Sequence, residues 1–336
     1  VNYPRNTCLY KQAGADTYRA SSTSVLNTYG TNLQNIEKDS RKLYWADDNK
    51  ILCQADQSGA EALIVAYEAP AGKFRDLFLY GVKPHVFVAM NVFLETWGVK
   101  LRDIDLAKFT TSPIKDLKSI PGWKELDGMI KASDNWGAQE RYYYIAKMIC
   151  HASNYGMQAG AFQLNVLEKS RGKIVLSKQQ AEKYLNDYHA LFPEIRKWHK
   201  QVERQLWNTR MLFNLQGYPR QFTGLIGEHM FKEAYAFTPQ STVGCITHIA
   251  ITLLQRFIED NKLPWDILGN CHDSYLAQCP VGQEKLLAQK MLEFMQQDLT
   301  SSSGEKFKMR AEAQVGRNWA PYKKDKNPDG LQEIKF

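Results

Sequence analysis

The stretch Leu268-Gly269-Asn270-Cys271-His272-Asp273-Ser274-Tyr275-Leu276-Ala277 decides how the rest of the chain is read. Trp265, Ile267 and Leu268 precede its polar Gly-Asn-Cys-His-Asp-Ser centre, and Tyr275 and Leu276 follow it. Two short apolar runs around a polar centre predict a β-hairpin over 265–279. An aspartate at a hairpin tip is ordinarily a solvated turn residue, because its side chain bonds the local backbone. A second carboxylate placed to share a cation with Asp273 would reverse that reading.

Asp56 is the candidate. Ile51-Leu52-Cys53-Gln54-Ala55 reads as a buried strand that delivers Asp56 at its end, just before a helix over 58–69 with Ser58 as N-cap and Glu61 at the capping-box position. A lone charge where a buried strand stops is costly unless something compensates it. Two strands of one sheet, each ending in an acid, can bring Asp56 and Asp273 to one or two Mg²⁺, an ion that takes few carboxylates together with water and substrate phosphates. Pairs of such ions about 3.5–4 Å apart recur in phosphoryl and nucleotidyl transfer. From spacing alone this stays one option among several, since the two aspartates lie far apart in the chain.

A helix predicted over 138–152 adds a second cluster. Tyr143, Lys147 and His151 are spaced four apart and form one stripe, with Tyr155 four residues further on. Such a stripe is a poor core and a good surface for a triphosphate and a base. An amphipathic helix with a solvated lysine would look the same.

The 336 residues carry 43 Lys and Arg against 36 Asp and Glu, a net charge of +7. That excess permits a polyanionic partner without requiring one. The six cysteines are dispersed and form no CxxC pair, so neither a zinc site nor a disulfide framework is expected, and a reducing compartment fits best. No signal-peptide pattern and no run long enough to span a membrane stand out, so a cytoplasmic protein without membrane partners is expected. The opening Val1-Asn2-Tyr3-Pro4 reads as a fragment, or as the ordered part of a longer polypeptide.

Further along, helices broken by Pro84, Pro113 and Pro121 are expected over 71–135. A helical run over 177–209 opens on a Ser177/Gln180 capping box. One or two helices are expected over 228–260, a helix over 281–298, a strand near 308–314 and a loose charged tail over 320–336. The composite is α+β: a mostly antiparallel sheet assembled from distant segments, with a large helical insertion between them.

Taken in order, these segments resemble the family A DNA polymerases, the group of bacterial DNA polymerase I and several bacteriophage enzymes. The resemblance runs from about residue 17 to residue 319. Thr17-Tyr18-Arg19-Ala20-Ser21-Ser22 and Thr31-Asn32-Leu33-Gln34-Asn35-Ile36 look like the family's TGRLSS…PNLQNIP, which lines the primer-template duplex. The resemblance implies that Arg19 reaches the minor groove at the terminal pair and that Asn32, Gln34 and Asn35 face the duplex. Minor-groove acceptors are alike for all correct pairs, so a donor there checks geometry without reading sequence.

Asp56-Gln57-Ser58-Gly59-Ala60-Glu61 is similar to the family's DYSQIE. Asp56 is thereby implied as a ligand of both metals, assisted by the Gln57 backbone carbonyl. Glu61 is implied as the steric gate that fills the space a ribose 2′-hydroxyl would need. Lys83-Pro84-His85 resembles a D-I-H segment whose His contacts the triphosphate. Tyr143-x3-Lys147-x3-His151-Ala152-x2-Tyr155-Gly156 follows Arg-x3-Lys-x3-Phe/Tyr-Gly-x2-Tyr-Gly. Lys147 is implied as triphosphate ligand and as the acid for departing pyrophosphate, His151 at the sugar, and Tyr155 at the template base. Tyr143 stands where the family has an Arg, and Arg141 lies nearby.

Gln240 matches the Gln of Q-G-T, a minor-groove contact, and His272-Asp273-Ser274 matches H-D-E. Asp273 is implied as the second metal ligand and His272 as a neighbour of the primer terminus, with Ser274 in place of an accessory Glu. Gly217-Tyr218-Pro219-Arg220 and Gly316-Arg317-Asn318-Trp319 add weaker matches.

The resemblance implies a right-hand polymerase fold with palm at 1–70 and 210–319, fingers at 71–209, and a tail at 320–336. It implies two Mg²⁺, replaceable by Mn²⁺, and primer-template DNA and dNTPs as partners. The thumb and exonuclease-like segments that precede the first motif in the family do not fit in the 16 residues before Thr17, so they are expected upstream or in a partner, alongside any processivity factor. The setting is a bacterial cell or a bacteriophage-infected host. A single-subunit RNA polymerase shares the lysine helix and the paired aspartates, but Glu61 argues against it. A non-catalytic DNA-binding protein on the same fold is the remaining alternative.

Overall fold

The structure is a computed structural model that describes residues 5–12, 14–24, 30–101 and 104–336; the opening Val1–Pro4 lies outside them. The elements that matter for the site run, in chain order, β1 (Lys50–Gln57), α1 (Ala60–Glu68), α2 (Pro84–Val92), α3 (Tyr142–Asn154), α4 (Lys178–Leu191), α5 (Pro193–Thr209), α6 (Glu228–Asp260), β2 (Asp266–Cys271), β3 (Ser274–Pro280), α7 (Glu284–Met295), β4 (Ala311–Gly316) and β5 (Gln332–Glu333). The chain divides into two compact units. The first comprises Val1–Glu61, Leu212–Arg220 and Phe237–Phe336; the second comprises Ala62–Met211 and Gln221–Ala236.

The first unit is built on a five-stranded sheet of order β5-β4-β1-β3-β2, with every described pairing antiparallel. Strand periodicity sorts its residues onto two faces. Cys53, Ala55 and Gln57 of β1 are buried with Tyr275, Ala277 and Cys279 of β3. The Tyr275 hydroxyl donates to the Met291 carbonyl of α7 at 3.1 Å, which ties that face to the helix. Leu52, Gln54 and Asp56 point the other way. There Leu52 joins Cys271, Leu276, Trp319 and Leu331 in a second apolar cluster. The predicted hairpin is β2–β3, and Cys271 pairs Ser274 across a two-residue loop of His272 and Asp273.

Three expectations need correction. The 177–209 run is two helices: the capping box of Ser177 and Gln180 forms, but the first helix ends at Leu191. Phe192 leaves helical geometry at φ −129°, and Pro193, which has no N–H to give, opens the next helix. The segment after residue 320 is ordered by pairing: β5 adds to β4. Leu331 is buried, and the Asn318 and Asn327 side chains bond each other at 2.7 and 3.0 Å. Finally, α6, at 33 residues with a window of mean hydropathy 1.2, is by length and composition long and apolar enough to cross a membrane. Core helices pass the same test. Of that window 56% is buried, and Asn214 and Leu215 of the same unit hydrogen-bond its Ser241 and Thr242 hydroxyls.

The second unit is helical. Phe74, Phe87, Tyr188 and Phe192 form an aromatic cluster in its core, with Phe74 and Phe192 centroids 5.1 Å apart. Within it α3 buries Ile145, Ile149 and Cys150 and leaves the 143/147/151 stripe outside the core. Its C-terminal end is pinned. The Tyr188 hydroxyl donates to Asn154 Oδ1 at 2.6 Å, and His199 Nε2 lies 2.8 Å from the Asn154 carbonyl oxygen. Gly156 follows at φ +67°, where a Cβ would stand 2.8 Å from the Tyr235 ring, so both conformation and space demand glycine.

Candidate active site

Asp56 and Asp273 meet through backbone pairing. Asp56 sits opposite Ser274 in the β1–β3 register, and the Gln57 N–H donates to the Asp273 carbonyl at 3.0 Å. On the other flank of β1, Glu312 of β4 is the direct cross-strand partner of Asp56. Glu312, Asp56 and Ser274 therefore share one row on the face of the sheet that α7 does not cover. Ser274 is buried, and its hydroxyl reaches the Cys271 carbonyl at 3.3 Å.

The electrostatics follow from that row. Asp56 is pushed up to about 7, first by burial, then by Asp273 and Glu312, with Lys38 and Arg41 pulling it down. Burial also raises Asp273, against its own backbone N–H and Arg19, which lower it. Two half-buried carboxylates, both raised by burial and Asp56 also by Asp273, form a site short of positive charge. Among the described residues no group of three His, Cys, Asp or Glu could hold a metal by itself. The carboxylate oxygens of Asp56 and Asp273 fit a hard divalent cation bound together with water and substrate phosphate.

Next to Asp273 lies a cleft of ≈530 Å³ lined by Arg19, Asn32, Gln34, Asn35, Glu61, Gln240 and His272, among others. Every residue read as duplex-facing lines it. Arg19 forms an ion pair with Glu61, and its Nε is buried without a partner. Gln34 is the exception to the expected role: its Nε2 donates to the Ala20 carbonyl at 3.0 Å and its Oε1 accepts from the Ser22 N–H at 2.9 Å. Its carboxamide braces the loop instead of facing the cleft with free donors. Asn32 likewise accepts from the Gln34 N–H at 3.1 Å, while Asn35 stays exposed.

The second unit holds the other candidate residues. Lys147 Nζ stands 4.5 Å from the centroid of the Tyr143 ring and 4.0 Å from Asp134 Oδ2. His85 meets the same tyrosine edge-on at 5.9 Å, and His151 meets Tyr155 edge-on at 4.8 Å. Burial, then Lys147 and Lys83, lowers His85 to about 4. It is neutral near pH 7, so it can offer a ring N–H to a triphosphate but no positive charge. Arg141 is turned to other partners here: its Nε donates to the Asp134 carbonyl at 2.8 Å and its guanidinium covers the Tyr144 ring at 4.4 Å. Tyr155 is largely buried at the helix C-cap.

Sequence reading missed Glu312, Gly244 and Thr247. The strand near 308–314 was legible, but only the register puts Glu312 beside Asp56. Gly244 of α6 lies against Arg19, where a Cβ would be 3.1 Å from Cγ.

The fold is that of a polymerase domain. The chain is similar to the POL domain of Pol1 from M. smegmatis, in a complex with DNA primer-template and dNTP, with a TM-score of 0.66, 19% identity and 93% of this chain covered. It spans about half, 47%, of that chain. The sequence pattern of DNA polymerase family A matches residues 130–321, more than half of the chain, and the chain belongs to that family.

Proposed function

We propose that this chain carries the palm, in its first unit, and the fingers, in its second, of a template-directed DNA polymerase that extends a primer 3′-hydroxyl with dNTPs. The observation that carries this reading is the convergence of Asp56 and Asp273 beside a cleft lined by Arg19, Glu61, Gln240 and His272. Asp56 and Asp273, with the Gln57 carbonyl, would hold two divalent cations, Mg²⁺ or Mn²⁺. Bound there, such ions lower the pKa of the attacking hydroxyl and neutralise the triphosphate and departing pyrophosphate.

The chain's own residues do the rest. Arg19, Asn32, Asn35 and Gln240 offer donors and acceptors to the minor groove, and His272 approaches the primer end. Glu61 excludes the 2′-hydroxyl. Lys147 binds the triphosphate and protonates pyrophosphate, His85 donates a neutral hydrogen bond, and His151 and Tyr155 meet the sugar and the template base. The setting is the cytoplasm of a bacterial cell or of a bacteriophage-infected host.

Mg²⁺-dependent extension of a primed DNA template, with dNTPs and rNTPs supplied separately, tests this reading. Extension with dNTPs alone supports it. Equal use of rNTPs would make the enzyme an RNA polymerase, and tight DNA binding without extension would make it a non-catalytic binder.

A further inference from the structure

Gln57 occupies the tyrosine position of the DYSQIE pattern, and the structure gives this chain's own side chain a job. Periodicity turns Gln57 away from Asp56 and onto α6, where it is 2% exposed. Its Nε2 donates to the Thr247 hydroxyl at 2.8 Å and to the Val243 carbonyl at 3.1 Å. The opposite amide orientation would set an oxygen against the Val243 carbonyl, which can only accept. Thr247 Oγ1 in turn lies 3.2 Å from the His272 carbonyl and 3.2 Å from the Val243 carbonyl, with one proton for the two. Gln57 already donates to Val243 and fills an acceptor site of Thr247, so the Thr247 proton can serve the His272 carbonyl.

His272 needs holding. It is the first residue of a two-residue hairpin loop at φ +66°, a conformation that favours glycine and is costly for a histidine. Its N–H is held by Asn270 Oδ1 at 3.1 Å, its carbonyl by Thr247, and the next carbonyl, of Asp273, by the Gln57 N–H at 3.0 Å. Gln57 thus grips the tip through its backbone directly and through its side chain by way of Thr247.

We infer that Gln57 and Thr247 are positioning residues that hold the His272-Asp273 tip against α6, so that Asp273 stays beside Asp56 despite their mutual repulsion. This rests on the proposed use of the two aspartates as cation ligands. It applies to this chain's glutamine and does not require either side chain to touch substrate.

The test measures Mn²⁺ binding to the DNA-free protein by electron paramagnetic resonance, alongside thermal melting. The variants are Thr247→Val, Thr247→Ser, Gln57→Leu and Asp273→Ala. Asp273→Ala should abolish the binding. Thr247→Val and Gln57→Leu should each weaken it about three- to tenfold, the span of one buried hydrogen bond. Thr247→Ser, which keeps the hydroxyl, should restore it. If one of the two weakening variants does not fold, the other decides. Melting temperatures that drop while Mn²⁺ affinity stays at the wild-type value would reduce the pair to a structural role and overturn the inference. Mn²⁺ binding that survives Asp273→Ala would overturn the cation-ligand reading, and the inference with it.

Discussion

Arg19 and Glu61 form an ion pair in the cleft beside Asp273, with only 20% and 27% of their side chains exposed. The residue proposed to check the terminal base pair therefore also holds the residue proposed to exclude the 2′-hydroxyl. Arg19→Ala should loosen Glu61 and lower the ratio of kcat/KM for dNTPs over rNTPs by about two- to fivefold, at the upper end of a partly exposed pair. Glu61→Ala should lower it further. Steady-state extension with each nucleotide class checks both, and an unchanged ratio in Arg19→Ala would show that the ion pair does not set the gate.

Gly244 gives Arg19 its room. Alanine inside a helix normally stabilises relative to glycine by about 0.5–1 kcal/mol. Here the new Cβ would crowd Arg19 Cγ at 3.1 Å. Gly244→Ala is expected to keep or raise the melting temperature while raising KM for primer-template. A parallel loss of both would point to general disruption of α6.

Asp56 links the site to stability. Burial first, then Asp273 and Glu312, hold it up at about 7, whereas an aspartate in an unfolded chain ionises near 3.9. Between about pH 4 and 7 the unfolded chain has released this proton and the folded chain retains it, so stability falls as pH rises through that window. Asp56→Asn removes this residue's share of the dependence. Without divalent metal it should melt above the wild type at pH 7.5 and level with it at pH 4, although it cannot support extension. Melting curves at the two pH values decide this.

Glu312 makes a companion prediction. Like charges directly opposite on neighbouring strands repel. Glu312→Gln should lower the pKa of Asp56 and move the acid limb of the extension profile to lower pH. Ser274→Glu, which puts an acid opposite Asp56 on its other flank, should move that limb to higher pH and lower the melting temperature. The pH dependence of single-turnover extension reads both shifts.

Local patterns carried much of this architecture. The alternation in Lys50–Gln57, the polar break in the hairpin and the Ser177/Gln180 box each encode an element through neighbours within a few residues. The ordered motifs carried the pairing of Asp56 with Asp273. What stayed hidden depends on partners distant in sequence. The charged tail is ordered because Leu331 joins Leu52 and Trp319 in one cluster. Gln34 turns inward because Ala20 and Ser22 offer it backbone partners. His85 loses its charge because it is buried near Lys147. No spacing rule reports a side chain's direction or the charge of its surroundings.

Asp56 and Asp273 are proposed to support metal-dependent nucleotidyl transfer together. The most direct measurement is single-turnover extension of a primed DNA template in Mg²⁺ by wild type, Asp56→Asn and Asp273→Asn, with DNA affinity determined in parallel. Loss of extension by at least about a thousandfold in each variant, with DNA binding little changed, is the expected result. Near-normal extension by either variant would contradict the account.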